Sequence, residues 1–151
     1  MALDLCTHQG TDSQANVHVL RDPLWKAIQA ESLEAAERDP ILRPMLDRFV
    51  LNHRTLSCAL VHRLAELLTE AADNPQVLRR VFTEVFATSP EIHQAIKDDL
   101  LIIRLRDPTT ASNLTPFLHF KGFHALQVSR IAHVLWNLSL IHISEPTRPS
   151  S

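Results

Sequence analysis

Two glycines, Gly10 and Gly122, stand in a chain of 151 residues. That scarcity excludes much. Phosphate-binding loops and dinucleotide fingerprints need several glycines, for positive φ and for close approach of the backbone to a ligand. Tight hairpins of the Asn-Gly kind need one at each turn. None of these can be built here.

Proline supplies the punctuation instead. Asp22-Pro23, Asp39-Pro40, Asn74-Pro75, Ser89-Pro90, Asp107-Pro108 and Thr115-Pro116 each set a capping side chain before a proline. The cap oxygen accepts an orphan N–H at a helix start, and proline at the first helical position has no N–H to leave unsatisfied. Each pair is therefore predicted to open a helix. Apolar spacing agrees. Leu56, Leu60, Leu64 and Leu68, joined by Val61 and Leu67, make one stripe. Val77, Leu78, Val81, Phe82 and Val85 make a second, and Ile92, Ile96, Leu100 and Ile103 a third. Lys97, Asp98 and Asp99 read as a solvated face opposite the third. No strand pattern of useful length occurs, and the X-Pro spacing is too irregular for a solenoid. The fold class is all-α, a multi-helix domain. Residues 1–20 are polar and aperiodic and read as a flexible arm.

The length fits one domain able to bury roughly 68–70% of its unfolded surface. A net charge of -2 with no basic block gives no reason to expect nucleic acid. Cys6 and Cys58 are too few for a disulfide framework, nothing near the N-terminus reads as a signal peptide, and no apolar run approaches the ~20 residues of a membrane span. No membrane partner is expected, and a cytoplasmic location is the default.

The segment "TPFLHFKGFHALQVSRIAHVLW", Thr115 to Trp136, is richest in suspicious side chains and reads as a helix. Zinc ligands on a helix usually sit at i, i+4. His119, His124 and His133 are five and nine residues apart, and His53 and His62 are nine apart, so no metal site is expected. Cys58 reads as a small packed hydrophobe, and no Gly-x-Ser-x-Gly elbow exists. Lys121, His124, Gln127 and Arg130 form a slanting polar row, while Phe117, Phe120, Ala125, Leu126, Ile131, Val134 and Leu135 cover much of the rest. A helix so apolar is packed by its neighbours or by another subunit. Asp107, in "IRLRDPTT", is either an N-cap or a carboxylate projecting into a cleft, and composition does not separate the two.

Three stretches, "RDPLWKAIQAE", "LRDP" with Asp107, and above all "KGFHALQ…RIAHVLW", resemble the N-terminal domain of bacterial-type serine O-acetyltransferases, from about Asp22 to Asn137. The resemblance implies a helical domain, residues 21–137, followed in the family by a left-handed β-helix of hexapeptide repeats. The family moves the acetyl group of acetyl-CoA to the L-serine hydroxyl for cysteine synthesis. Its members are usually hexamers, dimers of trimers, and can bind O-acetylserine sulfhydrylase through a C-terminal tail. Asp107 matches the aspartate that reaches over to hold substrate serine. The catalytic histidine and its aspartate belong to the β-helix, so no catalytic, cofactor-binding or metal-binding residue is expected in this chain, and acetyl-CoA is the co-substrate of the full-length family only.

"LSLIHISEPTRPSS" does not continue the family pattern. Leu138 to Pro149 spells the translation of a widely used transposase sequencing adapter. Residues 138–151 are therefore read as an adapter-derived tail, and the chain as a fragment without the β-helix, inactive alone. The alternative is a stand-alone α-helical interaction module, which explains the caps and stripes equally well. It does not explain "KGFHALQ" and "RDP" at the family's relative positions.

Overall fold

The computed structural model describes residues 22–69 and 74–144, with side chains through Ser139. The expected arm, residues 1–20, lies outside the described residues, as does the end of the tail. In chain order the elements are α1 (Pro23–Arg38), a 3₁₀ turn (Pro40–Leu42), α2 (Arg43–Leu46) running into a π-turn (Asp47–Leu51), α3 (Leu56–Leu67), α4 (Pro75–Thr88), α5 (Glu91–Arg106), α6 (Leu114–His119) and α7 (Lys121–Ser144). All regular elements among the described residues are helical, as the sequence predicts.

Half of the proline punctuation behaves as predicted. The Asp22 side chain accepts from the Trp25 N–H, Asp39 from Ile41 and Asn74 from Gln76. The other three pairs do not open helices. Ser89 closes α4 by donating its N–H to the Val85 carbonyl, and α5 starts at Glu91 with no side-chain cap. Asp107 likewise closes α5, its N–H on the Ile103 carbonyl at 3.0 Å. Thr115-Pro116 lies inside α6, whose N-cap is Asn113. No N–H of a first turn has an intrahelical partner, so proline is tolerated at Pro90 and Pro116 without fixing the cap, whereas Pro108 follows a helix end.

The core gathers where the stripes cross. Leu56, Leu60, Val61 and Leu64 of α3 are buried, with Ala59 and Ala65 beside them. From α4 come Phe82, Val85 and Phe86, while Val77 at the end of that stripe is 56% exposed. Ile92, Ile96 and Leu100 bury the third stripe. Each large side chain taken from water contributes about 1.5–3 kcal/mol. Trp25 of α1 meets Phe117 of α6 edge-on, ring centroids 6.0 Å apart.

Two sequence expectations need correction. The face opposite the third stripe is not simply solvated. Lys97 Nζ pairs with Asp22 Oδ2 at 2.8 Å. Asp99 accepts from Gln127 Nε2 at 2.7 Å and from the Arg130 guanidinium, tying α5 to α7. Nor is Thr115–Trp136 one helix. Phe120 is extended (φ -79°, ψ 103°), so His119 sits on α6 and the other two histidines on α7. The break is stabilised from outside. The last carbonyls of α6 find side chains in place of a continuing helix: His124 Nε2 donates to the Phe117 carbonyl at 2.7 Å, and Arg63 donates Nε and Nη2 to Leu118 at 3.1 and 2.9 Å.

Candidate functional site

Asp107 stands where α5 ends and the chain turns toward α6. Pro108 cannot donate, so the next two residues supply the donors. Asp107 Oδ1 accepts from the Thr109 N–H at 3.0 Å and from the Thr109 hydroxyl at 2.5 Å, and Oδ2 accepts from the Thr110 hydroxyl at 2.7 Å. The Thr109 hydroxyl, then the Thr110 hydroxyl and the Thr109 N–H, hold the carboxyl below its ordinary range. Asp107 is thus a surface carboxylate kept ionised by its own loop. Two hydrogen bonds fall on Oδ1 and one on Oδ2, so Oδ2 is the less engaged oxygen.

The polar row of α7 is a packing device. Gln127 is 1% exposed and His124 6%, both with partners inside the chain. Arg130 serves Asp99, and Lys121 is exposed. Burial chiefly lowers the His124 pKa, against the raising effect of the Phe117 carbonyl.

One juxtaposition escaped the sequence reading. His53, Cys58 and His62 bring their ligating atoms within 4.8 Å of one another. The signal was Cys58-x-x-x-His62, an i, i+4 pair on α3. The Cys58 sulfur is not a free thiol. His53 Nε2 donates to the Arg48 carbonyl at 2.9 Å, and its Nδ1 faces the Cys58 sulfur at 3.4 Å. The Arg79 charge bears on both histidines. Ser57 and His93 also meet unannounced, Oγ to Nδ1 at 2.5 Å, with His93 Nε2 on the Phe86 carbonyl at 3.0 Å. They link α3, α4 and α5.

The half-buried His62 gives the fold an acid limit. Burial, then His53, then Arg79 lower His62 from 6.5 to about 4. Between those values the unfolded chain takes up a proton that the folded one refuses. The stability involved is therefore complete above about pH 6.5 and is lost as pH falls toward 4. The urea midpoint should fall across that window, and His62→Phe should flatten the fall. Equal slopes for both proteins would refute the assignment.

A surface hollow of about 620 Å³ opens between α5 and the start of α7, lined by Ile102, Ile103, Phe120, Phe123 and Leu126 with Asp99 at its edge. Ile102 and Leu126 are 46% and 44% exposed, and Leu105 and Trp136 are 83% and 65% exposed.

Comparison with known proteins agrees with this geometry. The family model described as serine acetyltransferase, N-terminal, matches residues 24–128. The serine acetyltransferase of Salmonella typhimurium is 38% identical over 114 residues, which cover 76% of this chain and 42% of that protein. The crystal structure of serine acetyltransferase in complex with coenzyme A from Brucella abortus strain S19 superposes with a TM-score of 0.76 at 35% identity, covering 80% of this chain and 48% of that one. Soybean serine acetyltransferase complexed with serine gives 0.73 at 34% identity, covering 77% and 48%. The chain thus spans less than half the length of these relatives.

Proposed function

The chain belongs to the serine acetyltransferase family, and on that premise we propose that it is the helical N-terminal part of an enzyme carrying acetyl from acetyl-CoA to the L-serine hydroxyl. In this reading the helical domain, residues 21–137, supplies assembly contacts and one substrate contact, and residues 138–151 are adapter-derived. The backbone of α7 continues through Asn137 to Ser144 without a break, so that boundary rests on the residues alone.

The observation that carries the reading is the Asp107 carboxylate. It lies at the surface, ionised, with Oδ2 engaged by one hydroxyl where Oδ1 has two donors. A carboxylate so placed suits the ammonium group of serine through a charge-assisted hydrogen bond. The remaining machinery, a base for the serine hydroxyl and a site for CoA, is assigned by the resemblance to the β-helix.

The test starts by sequencing the locus from an independent library. Hexapeptide repeats with recurring glycine and aliphatic residues downstream support the transferase. A stop codon after the helical end supports a stand-alone module and removes the proposal. In the longer protein so recovered, Asp107→Asn should raise the KM for serine roughly ten- to a hundredfold and leave the KM for acetyl-CoA unchanged. An unmoved serine KM would overturn the role of Asp107.

Assembly rests on the bare apolar residues along α5 and α7, Ile102, Leu105, Leu126 and Trp136. Contiguous exposed apolar surface drives association. At roughly tens of micromolar, light scattering should report a mass well above the 17.1 kDa of one chain. A clean monomer would refute the assembly role.

A further inference from the structure

We infer that Glu31, on α1, is the positioning residue that anchors the far end of the Asp107 loop and so sets where the Asp107 carboxylate stands. This rests on the reading of Asp107 as the serine contact. The loop runs from Asp107 to Asn113. Its near end is closed by the Asp107 N–H on Ile103 and by the Thr110 N–H on the Asp107 carbonyl, each at 3.0 Å. Its far end is held by a residue more than eighty positions earlier. Glu31 Oε2 accepts from the Ser112 hydroxyl at 2.6 Å, the Asn113 N–H at 2.9 Å and the Leu114 N–H at 2.8 Å. Glu31 Oε1 accepts from the Asn113 side-chain amide at 3.0 Å and shares the Asn113 N–H at 3.2 Å.

Capping of α6 alone does not require this. Ser112 Oγ, the local candidate, already accepts from the Leu114 and Thr115 N–H groups at 3.1 and 3.3 Å. What Glu31 adds is attachment of the loop to α1. Asn113 is 1% exposed, and its buried Oδ1 has no hydrogen-bond partner, so its amide is committed to Glu31 at some cost. Burial pushes the Glu31 carboxyl up, but the Ser112 hydroxyl and the Leu114 and Asn113 donors outweigh it and leave it below its ordinary value. The group that holds the loop is therefore a carboxylate at neutral pH.

Glu31→Gln in the 151-residue chain tests this. The amide keeps the length, loses the charge and turns one acceptor into a donor facing donors. Hydrogen exchange at Thr109, Thr110 and Leu114, and the titration of the Asp107 carboxyl followed by carbon NMR, are the readouts. Exchange should quicken roughly tenfold at all three amides. The Asp107 midpoint should move up toward the ordinary carboxylate value, while Leu60 and Leu64 in α3 stay protected. Faster exchange at Leu114 with Thr109, Thr110 and the Asp107 titration unmoved would reduce Glu31 to a helix cap and overturn the inference. If Glu31→Gln does not fold, Ser112→Ala removes one donor only. It should give the same pattern at smaller amplitude, and no change at Thr109 and Thr110 overturns the inference as well. Failure of the serine reading shows elsewhere, in the serine KM of Asp107→Asn.

Discussion

Incubated with acetyl-CoA and L-serine, the purified 151-residue chain should release CoA no faster than it does without serine. Acyl transfer to a hydroxyl needs a base that can take the serine proton, and an effective base has a pKa near the working pH. The Asp107 carboxyl is held well away from that range by Thr109 and Thr110. His124 and His53 are committed to the Phe117 and Arg48 carbonyls. His62 is lowered to about 4 among packed side chains. His133, on the open part of α7, meets only Asn137, one helical turn on, among the described residues. The glycine-rich hexapeptide turns to which the resemblance assigns acetyl-CoA binding cannot be made from two glycines. Enzymes of this kind accelerate their reactions by about 10⁶-fold or more, and the whole of that factor should be missing. Serine-dependent CoA release from the chain, followed by thiol detection against a full-length serine acetyltransferase, would overturn the proposed division of labour.

The helical class was legible because caps and stripes are local. Leu56, Leu60 and Leu64 are spaced for one face of α3, and that face is buried. Asp22, Asp39 and Asn74 reach donors two or three residues on. Where partners are distant the sequence was silent. Nothing near Glu31 announces that its carboxylate ends at Ser112–Leu114. Asp99 reads as one charge in an acidic pair until α7 delivers Arg130 to it. The break at Phe120 was missed for the same reason, because Arg63 and His124 stabilise it by satisfying carbonyls from elsewhere. The residues alone leave Asp107 as an N-cap or a carboxylate in a cleft, and the resemblance to a family chooses the second. The structure adds that its carboxylate is organised by Thr109 and Thr110, a detail the string "RDPTT" contains but does not rank above an N-cap.

Phe117→Ala should be the most damaging single truncation in the region that carries the loop. Helices shorter than about 12 residues are marginal by themselves in water, and α6 has six. It is held by what it buries: Leu114, Pro116, Phe117 and Leu118, with Phe117 fully enclosed. Emptying that site costs about 3–5 kcal/mol, part of it the edge-on contact with Trp25. Domains of this size have roughly 5–15 kcal/mol in all. Phe120→Ala is the control, because that ring is only partly buried, in the extended link between helices. Urea unfolding followed by tryptophan emission suits the comparison, since Trp25 is buried at 2% exposure and Trp136, at 65%, adds a nearly constant background. Phe117→Ala should lower the midpoint several times more than Phe120→Ala, and should quicken exchange at Thr109 and Thr110 by releasing α6 from α1. Equal midpoints for the two variants would mean that α6 is held by its ends and not by its aromatic contact. The far end of the Asp107 loop would then be held by Glu31 and not by the packing of α6.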